Sequence, residues 1–221
     1  MNDQGYAKPI RILHSLLALC MLVQLAVGEL MDVPEVEDEH PAHVSMLIPS
    51  AFAHEGHHHG VAGAPVEETL GFEVHEVLGL VLAGLILIRV LLAFSSLPGA
   101  SWGELLPWAS ARGRKQLFDE ISAQMAGWKQ GRLAPPEEGE TLARTVHGLM
   151  ILSALIMGVT GTILYFGWST TAPQTEFIEL VASTHEVVVG GLEGLLGAHV
   201  LAVILHQRQG HNILARIKPG A

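Results

Sequence analysis

Residues 177–206 read FIELVASTHEVVVGGLEGLLGAHVLAVILH, thirty residues without a Lys or Arg and with His185 and His199 fourteen positions apart. At about 1.5 Å per residue such a run outspans the ~20 residues that cross a bilayer as a helix. Three more apolar runs precede it, at residues 10–30, 72–94 and 144–168. The whole chain of 221 residues is 49% hydrophobic and 15% charged. Soluble domains carry about 25% charged residues, so a water-exposed globule is excluded. The expectation is an all-α fold, an integral membrane four-helix bundle embedded in the lipid bilayer.

A net charge of −10 speaks against nucleic acid as a partner, because phosphate binding needs gathered Lys and Arg. The lone cysteine, Cys20, rules out an internal disulfide, a CxxCH haem attachment and a cysteine-rich metal site. No convincing cleavage site follows the first run, which therefore reads as a retained helix.

Basic residues remain on the cytoplasmic side of a membrane. Lys8 and Arg11 precede the first span and Arg89 lies near the end of the second. Arg112, Arg114, Lys115, Lys129, Arg132 and Arg144 fall in or beside the loop of residues 95–143, and Arg208, Arg216 and Lys218 follow the fourth span. These are all twelve Lys and Arg of the chain, and they share one side with both termini. The expected topology is N-in/C-in, with loop 95–143 cytoplasmic and loop 31–71 periplasmic. Within the cytoplasmic loop, Leu117, Ile121, Met125 and Trp128 recur at helical spacing among charged residues, which predicts a short amphipathic helix at the membrane interface.

Ionisable residues inside spans are costly and usually functional. At ~100° per residue His185 and His199 share a helix face, ~40° out of line and ~21 Å apart, so one lies near each membrane surface. Under the N-in topology His75 matches the periplasmic depth of His185, and His14 the cytoplasmic depth of His199. Two histidines facing each other at equal depth suit bis-imidazole ligation of haem iron. The expected pairs are His14 with His199 and His75 with His185. Gly28, Gly79, Gly161, Gly190, Gly191, Gly194 and Gly197 could make room for such discs or serve close helix packing. Arg89, fourteen residues after His75, suits either a haem propionate or lipid headgroups. His147 suits a quinone hydrogen bond, a proton relay or helix packing. Glu193 suits an interhelical hydrogen bond or a proton path.

These residues resemble the bacterial cytochrome b561 family, which includes b-type cytochrome subunits of nickel–iron hydrogenases and thiosulfate reductases. Arg11 and His14 look like the RxxH opening of its first helix. His75, Gly79 and Arg89 are similar to its second helix, and His147 with Gly161 to its third. His185-Glu186, His199, His206 and the tail His211–Arg216 look like its fourth helix and exit. Ser15 departs from the tryptophan usual after the first histidine, and the long cytoplasmic loop is closer to hydrogenase-type members. The resemblance implies one cytochrome b domain over residues 1–221 in the bacterial inner membrane. It also implies two haem b, ligated by His14, His75, His185 and His199, and electron exchange with membrane quinone. Some family members oxidise superoxide and reduce quinone, which gives a second reading.

The loop 31–71 matches no familiar pattern and carries His40, His43, His54, His57, His58 and His59. His54 to His58 formally spell HExxH, which needs a helix to bring both histidines to one zinc. Gly56, Gly60, Gly63 and Pro65 oppose a helix there, so a hydrated loop is expected, with adventitious or regulatory Cu, Ni or Zn binding at His54, His57, His58 and His59 as the alternative. Metal handling would leave the paired depths of the intramembrane histidines unexplained. The acidic periplasmic side, with Asp32, Glu35, Glu37, Asp38, Glu39, Glu73 and Glu176 among others, should attract a basic redox protein such as a c-type cytochrome, or a larger oxidoreductase complex. It should repel superoxide, an anion. A fluorescent protein fused after Ala221 should fold and glow in cells while alkaline phosphatase fused there stays inactive. The opposite pattern would reverse the topology.

Overall fold

In a computed structural model, residues 6–34, 69–129, 131, 140–169 and 171–218 are described. The His-rich segment, including His54, His57, His58 and His59, lies outside them. Four long helices form the bundle: α1 (Lys8–Leu30), α2 (Leu70–Leu91), α5 (Glu140–Gly167) and α6 (Glu176–Arg208). Each is long and apolar enough to cross a membrane. Between α2 and α5 lie α3 (Trp102–Leu105) and α4 (Ala111–Trp128).

Local chemistry sets the helix starts. Thr69, Ser110 and Thr175 each accept a hydrogen bond from a first-turn N–H, at Phe72, Gly113 and Ile178, which satisfies donors that the helix leaves unpaired. Glu73, Glu176 and Glu179 sit in first turns, and His206 and Arg208 in the last turn of α6, each on the favourable side of the helix dipole. α5 takes its cap from another helix: the Glu120 carboxylate of α4 accepts from Thr141 N at 3.2 Å and Leu142 N at 2.7 Å.

That cap fixes how α4 lies. Gly113 and Gln124 are buried against the bundle, while Phe118, Ile121, Met125 and Trp128 are exposed. The amphipathic helix expected from the sequence therefore turns part of its polar side inward and presents apolar side chains outward, as an interfacial helix does.

α1 packs on α2, α2 on α5 and α5 on α6, whereas α1 and α6 make no backbone contact, so the bundle has one open seam. Met21, Ile86, Ala154 and Leu192, one from each long helix, form a buried apolar layer across the middle. Both described chain ends meet at one end of the bundle, where Arg11 Nη1 donates to the Lys218 carbonyl at 3.0 Å. Arg89, Arg144 and α4 gather at this basic end. At the opposite end Trp168 Nε1 donates to the Pro34 carbonyl at 3.0 Å and pins the start of the first loop.

Replacing Glu120 with Ala removes both acceptors at the α5 start. The expected cost is about 1 kcal/mol, read by denaturant unfolding in detergent. Stability equal to wild type would show that α4 does not cap α5.

Candidate functional site

Among the described residues a cavity lies on each side of the apolar layer. The far-end cavity, about 550 Å³, is lined by His75 and His185 together with Gly28, Gly79 and Gly161. The basic-end cavity, about 290 Å³, is lined by His14, His147, His199 and Arg89.

At the far end the rings of His75 and His185 stand 6.5 Å apart between centroids. Metal–imidazole bonds are about 2 Å, so two rings on opposite sides of one metal have centres roughly 6 Å apart. Each ring rests against a glycine of a neighbouring helix. A Cβ on Gly28 would lie 3.1 Å from His75 Cε1, and one on Gly161 would lie 3.3 Å from His185 Cε1. The far-end ring positions thus depend on bare backbone. Gln24 Nε2 donates to the His75 carbonyl at 3.0 Å and ties that turn of α2 to α1. The Thr160 hydroxyl oxygen lies 2.8 Å from His185 Nδ1.

The basic end gathers three histidines. His147 meets His14 at 6.1 Å and His199 at 4.6 Å between centroids, and its Nε2 is buried with no hydrogen-bond partner among the described residues. Arg89 is 8% exposed and donates to the Gly99 and Ala100 carbonyls at 3.1 and 3.2 Å. It is therefore held inside and does not snorkel to lipid. Arg11, whose buried Nε has no acceptor, also lines this cavity, as does Arg144, 2.8 Å from Glu104. Three cations against one carboxylate favour an anionic group here. The far-end cavity has the opposite character, with Glu29, Glu76, Glu186 and Glu193 and no Lys or Arg in its lining.

Spacing along one helix could indicate Arg89 and His147 but not their neighbours. Thr160 and Gln24 carried no such signal, because each acts across a helix boundary. The glycines divide. Gly28, Gly79 and Gly161 line the far-end cavity, whereas Gly190, Gly191, Gly194 and Gly197 are exposed with no side-chain neighbour within 4 Å.

Facing imidazoles, glycine cradles, apolar walls and an unsatisfied arginine N–H fit a haem with its anionic propionates. The layout defines a haem-binding membrane protein. The chain matches the family model described as prokaryotic cytochrome b561 over residues 5–220, and it belongs to that family. It is a multi-pass bacterial membrane cytochrome of the b type that binds haem b and works in electron transfer. Comparison with curated proteins and with solved structures finds no match.

A branched side chain at position 28 would push the His75 ring into the space a haem needs. Gly28→Val should lower the haem content of the purified protein while the helical circular dichroism persists. Full haem content would show that the His75 ring does not depend on this cradle.

Proposed function

We propose that the chain holds two haem b, one in each cavity, and passes electrons across the membrane between a periplasmic redox protein and the quinone pool. The observation that carries this reading is the stacking of two histidine-lined cavities along one bundle. His185 and His199, one in each cavity, are separated by fourteen residues of α6, a rise of ~21 Å. Haem b would supply reversible one-electron iron chemistry at each position. His75 and His185 would ligate the first, His14 and His199 the second, with Arg11 and Arg89 facing propionates at the basic end. The positive-inside bias supports a cytoplasmic location for that end, and helical rather than barrel spans support the inner membrane.

His147 brings an unsatisfied buried nitrogen to the basic-end cavity and is suited to hydrogen-bond a quinone oxygen. A second ligand assignment has its own support. The 6.1 Å between His14 and His147 fits a shared metal, while the 4.6 Å between His147 and His199 is too short for one. At the far end, Asp32, Glu73 and Glu176 favour docking of a basic partner, such as a c-type cytochrome or a subunit of a larger oxidoreductase, in a salt-dependent way. The same charges oppose approach of superoxide, which ranks superoxide:quinone oxidoreduction second. Metal handling by the histidine-rich loop ranks third.

Pyridine haemochrome analysis of the purified protein should give a b-type spectrum with about two haems per chain. His75→Ala and His199→Ala should each lose about one haem, and His147→Ala none. Loss in His147→Ala with retention in His199→Ala would make His147 the ligand. No haem in protein made with ample haem supply would sink the reading.

A further inference from the structure

The far-end histidines differ in what holds their second nitrogen. His75 Nδ1 is buried and meets no hydrogen-bond partner among the described residues. His185 Nδ1 lies 2.8 Å from the hydroxyl oxygen of Thr160, which is 8% exposed and belongs to the neighbouring helix α5. That same hydroxyl lies 2.8 Å from the Ile156 carbonyl oxygen and 3.2 Å from that of Met157.

A threonine hydroxyl has one proton to give and lone pairs to receive another. A neutral imidazole carries a single N–H. If Nε2 of His185 is the nitrogen offered to a metal, the proton must sit on Nδ1, and that N–H has to donate. Thr160 then accepts from His185 and donates its own proton to Ile156, with Met157 sharing it. Every atom of the chain His185–Thr160–Ile156 is satisfied in one direction only. Gly161, the next residue on α5, supports the same ring from the side. Two consecutive residues of α5 therefore fix both the tautomer and the place of one imidazole.

We propose that Thr160 is the positioning residue of the far-end haem: it holds His185 with Nε2 toward the cavity and lowers the reduction potential of that haem relative to an unassisted ligand. This rests on the two-haem reading above. A hydrogen bond accepted from a ligand's remote N–H makes the imidazole a stronger donor. A stronger donor favours ferric over ferrous iron, so the potential falls. The effect belongs to one haem because Thr160 bonds His185, which lines the far-end cavity and not the basic-end one.

The test is potentiometric titration of full-length protein carrying Thr160→Val, which keeps the shape and removes the acceptor, beside Thr160→Ser, which restores it. Thr160→Val should raise one of two midpoint potentials and shift one low-spin ferric resonance. Thr160→Ser should return both to wild type, and the second haem should not respond in either variant. Unchanged potentials in fully loaded Thr160→Val would overturn the proposal. If Thr160→Val loses one haem, retention of that haem in Thr160→Ser supports the proposal. Loss in both would overturn it, because packing and not the hydroxyl would then be what the site needs. A His185→Ala protein that kept all its haem would remove the ligand reading itself, a result distinct from any outcome at position 160.

Discussion

Four side chains, Met21, Ile86, Ala154 and Leu192, meet at the centre of the bundle, and everything polar is arranged on either side of them. Each long helix contributes one, so the layer ties all four together even where α1 and α6 lack backbone contact. Close-packed apolar side chains exclude water and leave no partner for a polar group. The interior is therefore divided into two compartments instead of one continuous channel. Within each compartment the polar groups are histidines, carboxyls and arginines, of which His75 Nδ1, His147 Nε2 and Arg11 Nε meet no hydrogen-bond partner among the described residues.

Most of the fold was legible because membrane helices announce themselves by length and by lack of charge. The facing of His75 and His185 was legible too, since equal depth on two helices follows from residue counting. What counting cannot supply is rotation of one helix about its axis relative to the next. For that reason His147 was read apart from His14 and His199, although its ring touches the neighbourhood of both. Arg89 offered two readings from sequence, and only its bonds to Gly99 and Ala100 separate them. The glycines of α6 were read together with Gly28 and Gly161 as room for haem or for close packing, yet they sit on the outer surface.

α4 shows a different limit. Its apolar spacing identified the helix and its amphipathic nature. The role of Glu120 could not be read, because a carboxylate on a charged helix looks the same whether it is hydrated or capping α5. The same holds for Thr160, which in sequence is a polar residue bonding back to its own helix, a common arrangement. In both cases the informative partner lies more than twenty residues away.

The unequal charging of the two cavities has an electrical consequence. Arg11, Arg89 and Arg144 with the single carboxylate of Glu104 line one, four glutamates the other, and an apolar layer of low polarisability separates them. Charges are weakly screened across such a medium. A negative charge moved along the bundle axis therefore travels over a built-in slope that falls toward the basic end.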